Sequence, residues 1–143
     1  MSYRVRRVDP YWIKSPVLPV IAILGLGAAL ALVSRGMTVP AIVAAFVGGA
    51  AVVASTRPAI SAVLGTLGLI GGLTTFFIVP NGQNAAMPIS LRLLSAVLFT
   101  LFYAVLMDGI VLVISVLYNL FAGAAGLGGF TLDLEDDGGA GED

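Results

Sequence analysis

Between Lys14 and Asp133 only four side chains carry charge: Arg35, Arg57, Arg92 and Asp108. The stretches between them are almost wholly apolar. A chain can carry so few charges over such a length only if most of it lies outside water. With 59% hydrophobic and 10% charged residues, it falls far below the roughly 25% charged content of soluble domains. A soluble domain of 143 residues could not hide this much apolar surface in one core, because small domains leave a large fraction of their surface exposed. The expected fold class is an all-α membrane protein, a compact bundle of four transmembrane helices with short turns and flexible tails.

A spanning helix needs about 20 mostly apolar residues, and four segments meet that need. The first runs from about Val17 to Val33, with Pro16 and Pro19 in its opening turn, where a missing N–H costs little. Ser34-Arg35-Gly36 ends it. The second runs from about Val39 to Ala54 and closes at Ser55-Thr56-Arg57-Pro58. The third runs from about Ala59 to Val79 and stops at the turn signal Pro80-Asn81-Gly82. The fourth extends from Leu91 to about Phe121, roughly 46 Å of helix against a hydrocarbon core of about 30 Å. It must tilt, protrude beyond the bilayer or break near Asp108-Gly109; protrusion is the expectation. The layout is then a basic interfacial tail over residues 1–15, a transmembrane domain over 16–122, and a Gly-rich acidic tail over 123–143. The first apolar run is read as an uncleaved helix, and no lipidation box is present.

The chain has no cysteine and no histidine. Disulfides, thiolate chemistry, the commonest metal ligand and the commonest general base are thereby removed. Neither a catalytic constellation nor a cofactor motif is visible, so a non-enzymatic protein is expected. The N-terminal tail is basic (Arg4, Arg6, Arg7 and Lys14 against Asp9), and the C-terminal tail is acidic (Asp133, Glu135, Asp136, Asp137, Glu142, Asp143). Acidic polar parts with a single lysine fit a source that lives in high salt, where repulsion between carboxylates is screened over a few ångströms. With four spans, Arg4, Arg6, Arg7, Lys14 and Arg57 share one side, and Arg35 and Arg92 the other. That bias puts both termini inside.

Two features inside the spans stand out. One is a stripe of small residues: Ser61, Gly65, Gly68 and Gly72 share one face of the third helix. Gly25–Ala29 and Gly27–Ala31 in the first, and Ala44–Gly48 and Ala45–Gly49 in the second, repeat the spacing. Small residues at that interval let helix backbones approach closely in lipid, where no hydrophobic force draws helices together. Packing within one bundle and self-association through the third helix are both compatible with it. The other feature is Asp108. A carboxylate near a helix centre costs about 2.5–3.5 kcal/mol on an insertion scale, less than the roughly 5–10 kcal/mol gained by its Leu, Ile, Phe and Val neighbours. The helix inserts, but the acid must face a bundle interior or water. Asp108, Ser115 and Asn119 share a helix face. If the third and fourth helices are antiparallel neighbours, Ser61 and Thr66 bracket the depth of Asp108. A protonated or hydrogen-bonded Asp108 is expected. It serves either as a polar clamp between helices or protomers, or as a proton- or cation-binding site.

Arg4, Arg6, Arg7, Trp12 and Lys14 mark the N-terminal tail as a topology signal with interfacial aromatics, available to anionic lipid or genome phosphates. In length, four spans, the start MSYRVRRVDPYWIKSP and the end LDLEDDGGAGED, the chain resembles the small internal membrane proteins of pleomorphic, membrane-enveloped haloarchaeal viruses (pleolipoviruses). That resemblance implies a structural protein of the virion membrane, exposed toward the inside, beside a separate spike protein. The sequence therefore points to an envelope scaffold whose partners are the bilayer, further copies of itself or a spike protein, and weakly the genome. A transport or channel subunit using Asp108, and a holin-like membrane permeabiliser, are the rivals.

Overall fold

The computed structural model describes residues 2–4, 7–124 and 131–133, with side chains over 7–123. The protein is helical, and four of its helices are long and apolar enough to cross a membrane. These are α1 (Val17–Ser34), α2 (Thr38–Ser55), α3 (Pro58–Leu73) with its continuation to Ile78, and a long helix, α5 (Ile89–Asn119), separated from α3 by the short α4 (Gly82–Ala86). The chain falls into two compact units, Pro10–Leu112 and a smaller one of Met1–Asp9 with Val113–Asp143.

The turns follow from the residues that punctuate the apolar runs. Gly36 ends α1 in the left-handed region at φ 73°. Its N–H donates to the Val33 carbonyl and that of Met37 to the Leu32 carbonyl, both at 2.9 Å. This is the paired closure of a glycine-terminated helix. At the end of α2, the hydroxyls of Ser55 and Thr56 donate to the carbonyls of Ala51 and Val52 at 2.7 and 3.0 Å. Pro58 then occupies the opening turn of α3, where its missing N–H has no intrahelical partner to lose.

In the larger unit α1 and α2 form a close hairpin. A Cβ at Gly25 would lie 2.8 Å from the Gly48 Cα, and one at Gly48 would lie 2.7 Å from the Leu26 nitrogen. Backbones meet there with no room for a side chain. The core holds Ala22, Ala51 and Val52, flanked by Leu18, Ile21, Leu26, Val105 and Leu112. Large apolar side chains point outward instead, among them Ile23, Phe46 and Phe102 at 71, 76 and 72% exposure. Exposed apolar surface on this scale is untenable for a monomer in water and is what lipid requires, so the protein is an integral membrane protein with its spans in contact with the bilayer.

Two elements depart from simple helical hairpins. The third span finishes in a π turn over Thr74–Ile78, in which the Val79 N–H reaches back to the Thr74 carbonyl at 2.8 Å. The loop after it folds into α4, capped by the Asn81 side chain, which accepts from the Asn84 N–H at 2.8 Å. Asn84 in turn donates to the Thr75 carbonyl at 3.3 Å, a group the π turn leaves without its usual partner. Arg92 closes the loop, its Nε donating to the Met87 carbonyl at 3.1 Å and a terminal nitrogen to the Ala85 carbonyl. The fourth span covers Ile89–Gly123, 35 residues. α5 runs through Asp108-Gly109 without interruption, so the break considered from the sequence does not occur; an i→i−4 ladder satisfies the backbone on both sides of the acid.

Within the larger unit, Pro10, Tyr11 and Trp12 pair with the turn between α2 and α3. The Trp12 N–H donates to the Ser55 carbonyl and the Arg57 N–H to the Pro10 carbonyl, each at 2.9 Å, and Tyr11 bridges Thr56 in antiparallel fashion. In the smaller unit, Asn119 makes two bonds to the Val8 backbone, one in each direction, both 2.8 Å. There β1 (Ser2–Arg4) also pairs antiparallel with β2 (Thr131–Asp133), Tyr3 opposite Leu132. The hydropathy pattern gave no sign of this pairing of the tails. The rest of the acidic tail, residues 134–143, lies outside the described residues.

Candidate functional site

The polar centre of the larger unit is the meeting of α3 and α5. The two helices run antiparallel at close range, and the small residues of α3 set that range. A Cβ at Gly72 would lie 2.9 Å from the Ala96 carbonyl oxygen. One at Gly68 would lie 3.0 Å from the Tyr103 ring and 3.1 Å from the Thr100 carbonyl. Phe76 packs edge-on against Phe99, ring centroids 6.5 Å apart, and Phe99 stacks on Tyr103 at 6.3 Å. Moving one way along α3 and the other along α5, the same contact line ends on Ser61 and Asp108.

Ser61 sits in the opening turn of α3, its N–H donating to the Arg57 carbonyl at 3.2 Å. Its hydroxyl donates to Asp108 Oδ2 at 2.7 Å. Asp108 is 0% exposed, and its other oxygen, Oδ1, is buried with no hydrogen-bond partner. A buried polar atom left unsatisfied costs about 1–3 kcal/mol, more when charged. Charge of either sign is expensive to hold in hydrocarbon without a partner. The arrangement is an interhelical polar clasp with one side closed and the other open.

Three threonines within the α3 and α5 spans bond back to their own helices. Thr66, which the sequence offered as a second partner for Asp108, donates to its own-helix carbonyl at Ala62, 2.8 Å; Thr75 and Thr100 bond back to Gly71 and Ala96 in the same way. Such back-bonding satisfies a hydroxyl in an apolar setting without a second helix. Ser61 alone of the two candidates crosses to Asp108. Ser115 is buried and Asn119 holds the Val8 backbone, both in the smaller unit.

The glycines divide in the same manner. Gly25, Gly48, Gly68 and Gly72 stand at tight backbone approaches, whereas a Cβ at Gly65 or Gly27 would meet nothing within 4 Å. Of the tail residues singled out for lipid or genome contact, Arg7, Trp12 and Lys14 are exposed, the Arg4 backbone lies in β1, and Arg6 lies outside the described residues. The sequence reading missed the α5 half of the interface. Ala96, Thr100 and Ala104 lead up to Asp108 at intervals of four, a small and polar line facing the glycines of α3. That spacing was legible in the sequence.

No family model, no curated protein and no solved structure matches this chain.

Proposed function

We propose that this protein is a structural, non-enzymatic component of a membrane, one that occupies and organises the bilayer by close helix packing. The observation that carries this reading is how the polar groups within the spans are used. The hydroxyls of Thr66, Thr75 and Thr100 close on their own helices, and that of Ser61 closes on Asp108. The three threonines are satisfied within their own helices, and Ser61 ties α3 to α5. The resemblance in layout to the internal membrane proteins of pleomorphic haloarchaeal viruses extends the proposal. The protein would belong to a viral envelope in a halophilic archaeal system, both termini on the inner side, its basic and acidic tails available to lipid, genome or a spike protein.

Reconstitution into liposomes tests the central point. A scaffold leaves proton and cation flux at the level of empty vesicles, and Asp108→Asn changes nothing. Flux that Asp108→Asn abolishes would make the protein a transport subunit instead, and rapid lysis of expressing cells would favour a holin-like role. Protease treatment of intact particles tests the orientation: the acidic tail should survive from outside and be removed once the membrane is opened.

A further inference from the structure

We propose that Asp108 is a proton-binding site: the acid is held in the bilayer as a neutral carboxylic acid, with its proton on Oδ1 and the Ser61 hydroxyl bonded to the carbonyl oxygen Oδ2. This does not depend on the structural role proposed above.

The inference rests on the asymmetry of the two oxygens. An ionised carboxylate has two equivalent oxygens, each an acceptor and neither a donor. Here one oxygen receives a hydroxyl at 2.7 Å and the other, equally buried, receives nothing. A neutral acid is itself asymmetric. Its carbonyl oxygen is the good acceptor, and its hydroxyl oxygen is the one that loses least when no donor reaches it. The Oδ1 hydroxyl then has no described acceptor, but a neutral group left unpaired costs less than a charged one, so the surroundings favour the neutral form, with the proton on the oxygen that Ser61 does not reach.

Within the four spans the charged residues are Arg92 and Asp108. The α1 and α2 spans contain no ionisable side chain, and Asp108 is the only acid within the four spans. α3 presents Ser61 and the glycines to α5. Arg57 lies one turn before Ser61 and is exposed. On α5 itself, Tyr103 is stacked on Phe99. Arg92 is more than four turns away, roughly 24 Å along the helix, and bonded to the loop carbonyls. No described donor reaches Oδ1.

Infrared spectroscopy of the protein in bilayers of ether-linked lipid, which adds no ester carbonyl band, isolates this one group at neutral pH. The seven other acidic side chains lie at position 9 and between 133 and 143, outside the spans, and carboxyls in water are ionised at neutral pH. Any carboxylic-acid carbonyl band therefore reports Asp108. The expected spectrum has one such band, displaced when the protein is folded in D2O and lost in Asp108→Asn. In Ser61→Ala the band should move to higher frequency, because the carbonyl loses its donor. Absence of the band from the wild-type protein would overturn the proposal, and a band unmoved by Ser61→Ala would overturn the assignment of the oxygens. The wild-type spectrum and Ser61→Ala decide the matter even if Asp108→Asn does not fold.

Discussion

A single hydroxyl separates a closed from an open polar contact at Asp108. Ser61→Ala leaves both carboxyl oxygens bare and should lose about 1–2 kcal/mol in unfolding free energy, in the range of interhelical hydrogen bonds in membranes. The double variant Ser61→Ala/Asp108→Leu removes donor and acceptor together, so it should recover most of that loss. Unfolding in mixed detergent micelles measures the cycle, and independence of the two substitutions would mean the clasp contributes nothing. The glycines make a second pair of predictions. Gly25→Ala drives a methyl into the Gly48 backbone at 2.8 Å and should destabilise by about 1–3 kcal/mol. Gly27→Ala enters open space and should be neutral or slightly stabilising, since alanine is the better helix former by up to about 1 kcal/mol; thermal unfolding in detergent compares the two. The sequence placed both glycines in equivalent motifs. Spacing reveals which face a small residue lies on, but not whether another backbone approaches that face, and this is why Gly65 and Gly68 could not be told apart.

At the level of elements, hydropathy located the four spans to within a residue or two at most ends, because the bilayer sets their length and charged or turn-forming residues end them. Gly36 and Pro58 were legible for the same reason: each is the residue type its backbone position demands. The π turn at Thr74–Ile78 and the short α4 were not, since both arise from polar side chains meeting freed carbonyls across a few residues. Arg92, which in the sequence counted only toward orientation, fastens that loop by binding two carbonyls. Arg92→Ala should therefore raise amide exchange across residues 82–88 by an order of magnitude or more while leaving the spans protected. Arg92→Lys should restore little, because an ammonium cannot reproduce the planar fork of donors. Exchange followed by mass spectrometry reads both, and unchanged protection in Arg92→Ala would remove the loop-fastening role.

For the whole molecule, an even number of crossings returns the chain to the side on which it began. Within the smaller unit, Val8 and Asn119, near opposite ends of the chain, are joined by two hydrogen bonds. Neither bond was foreseeable: Asn119 was read as part of a polar strip below Asp108, and a contact between residues this far apart in sequence has no periodic signature. The absence of cysteine makes the arrangement open to direct measurement. Single cysteines at Val8, Met37, Gln83 and Gly123, all exposed, can be labelled in sealed vesicles with a membrane-impermeant maleimide. Val8→Cys and Gly123→Cys should react from one side, and Met37→Cys and Gln83→Cys only from the other. Labelling of Val8→Cys and Gly123→Cys from opposite sides would contradict the four-span fold.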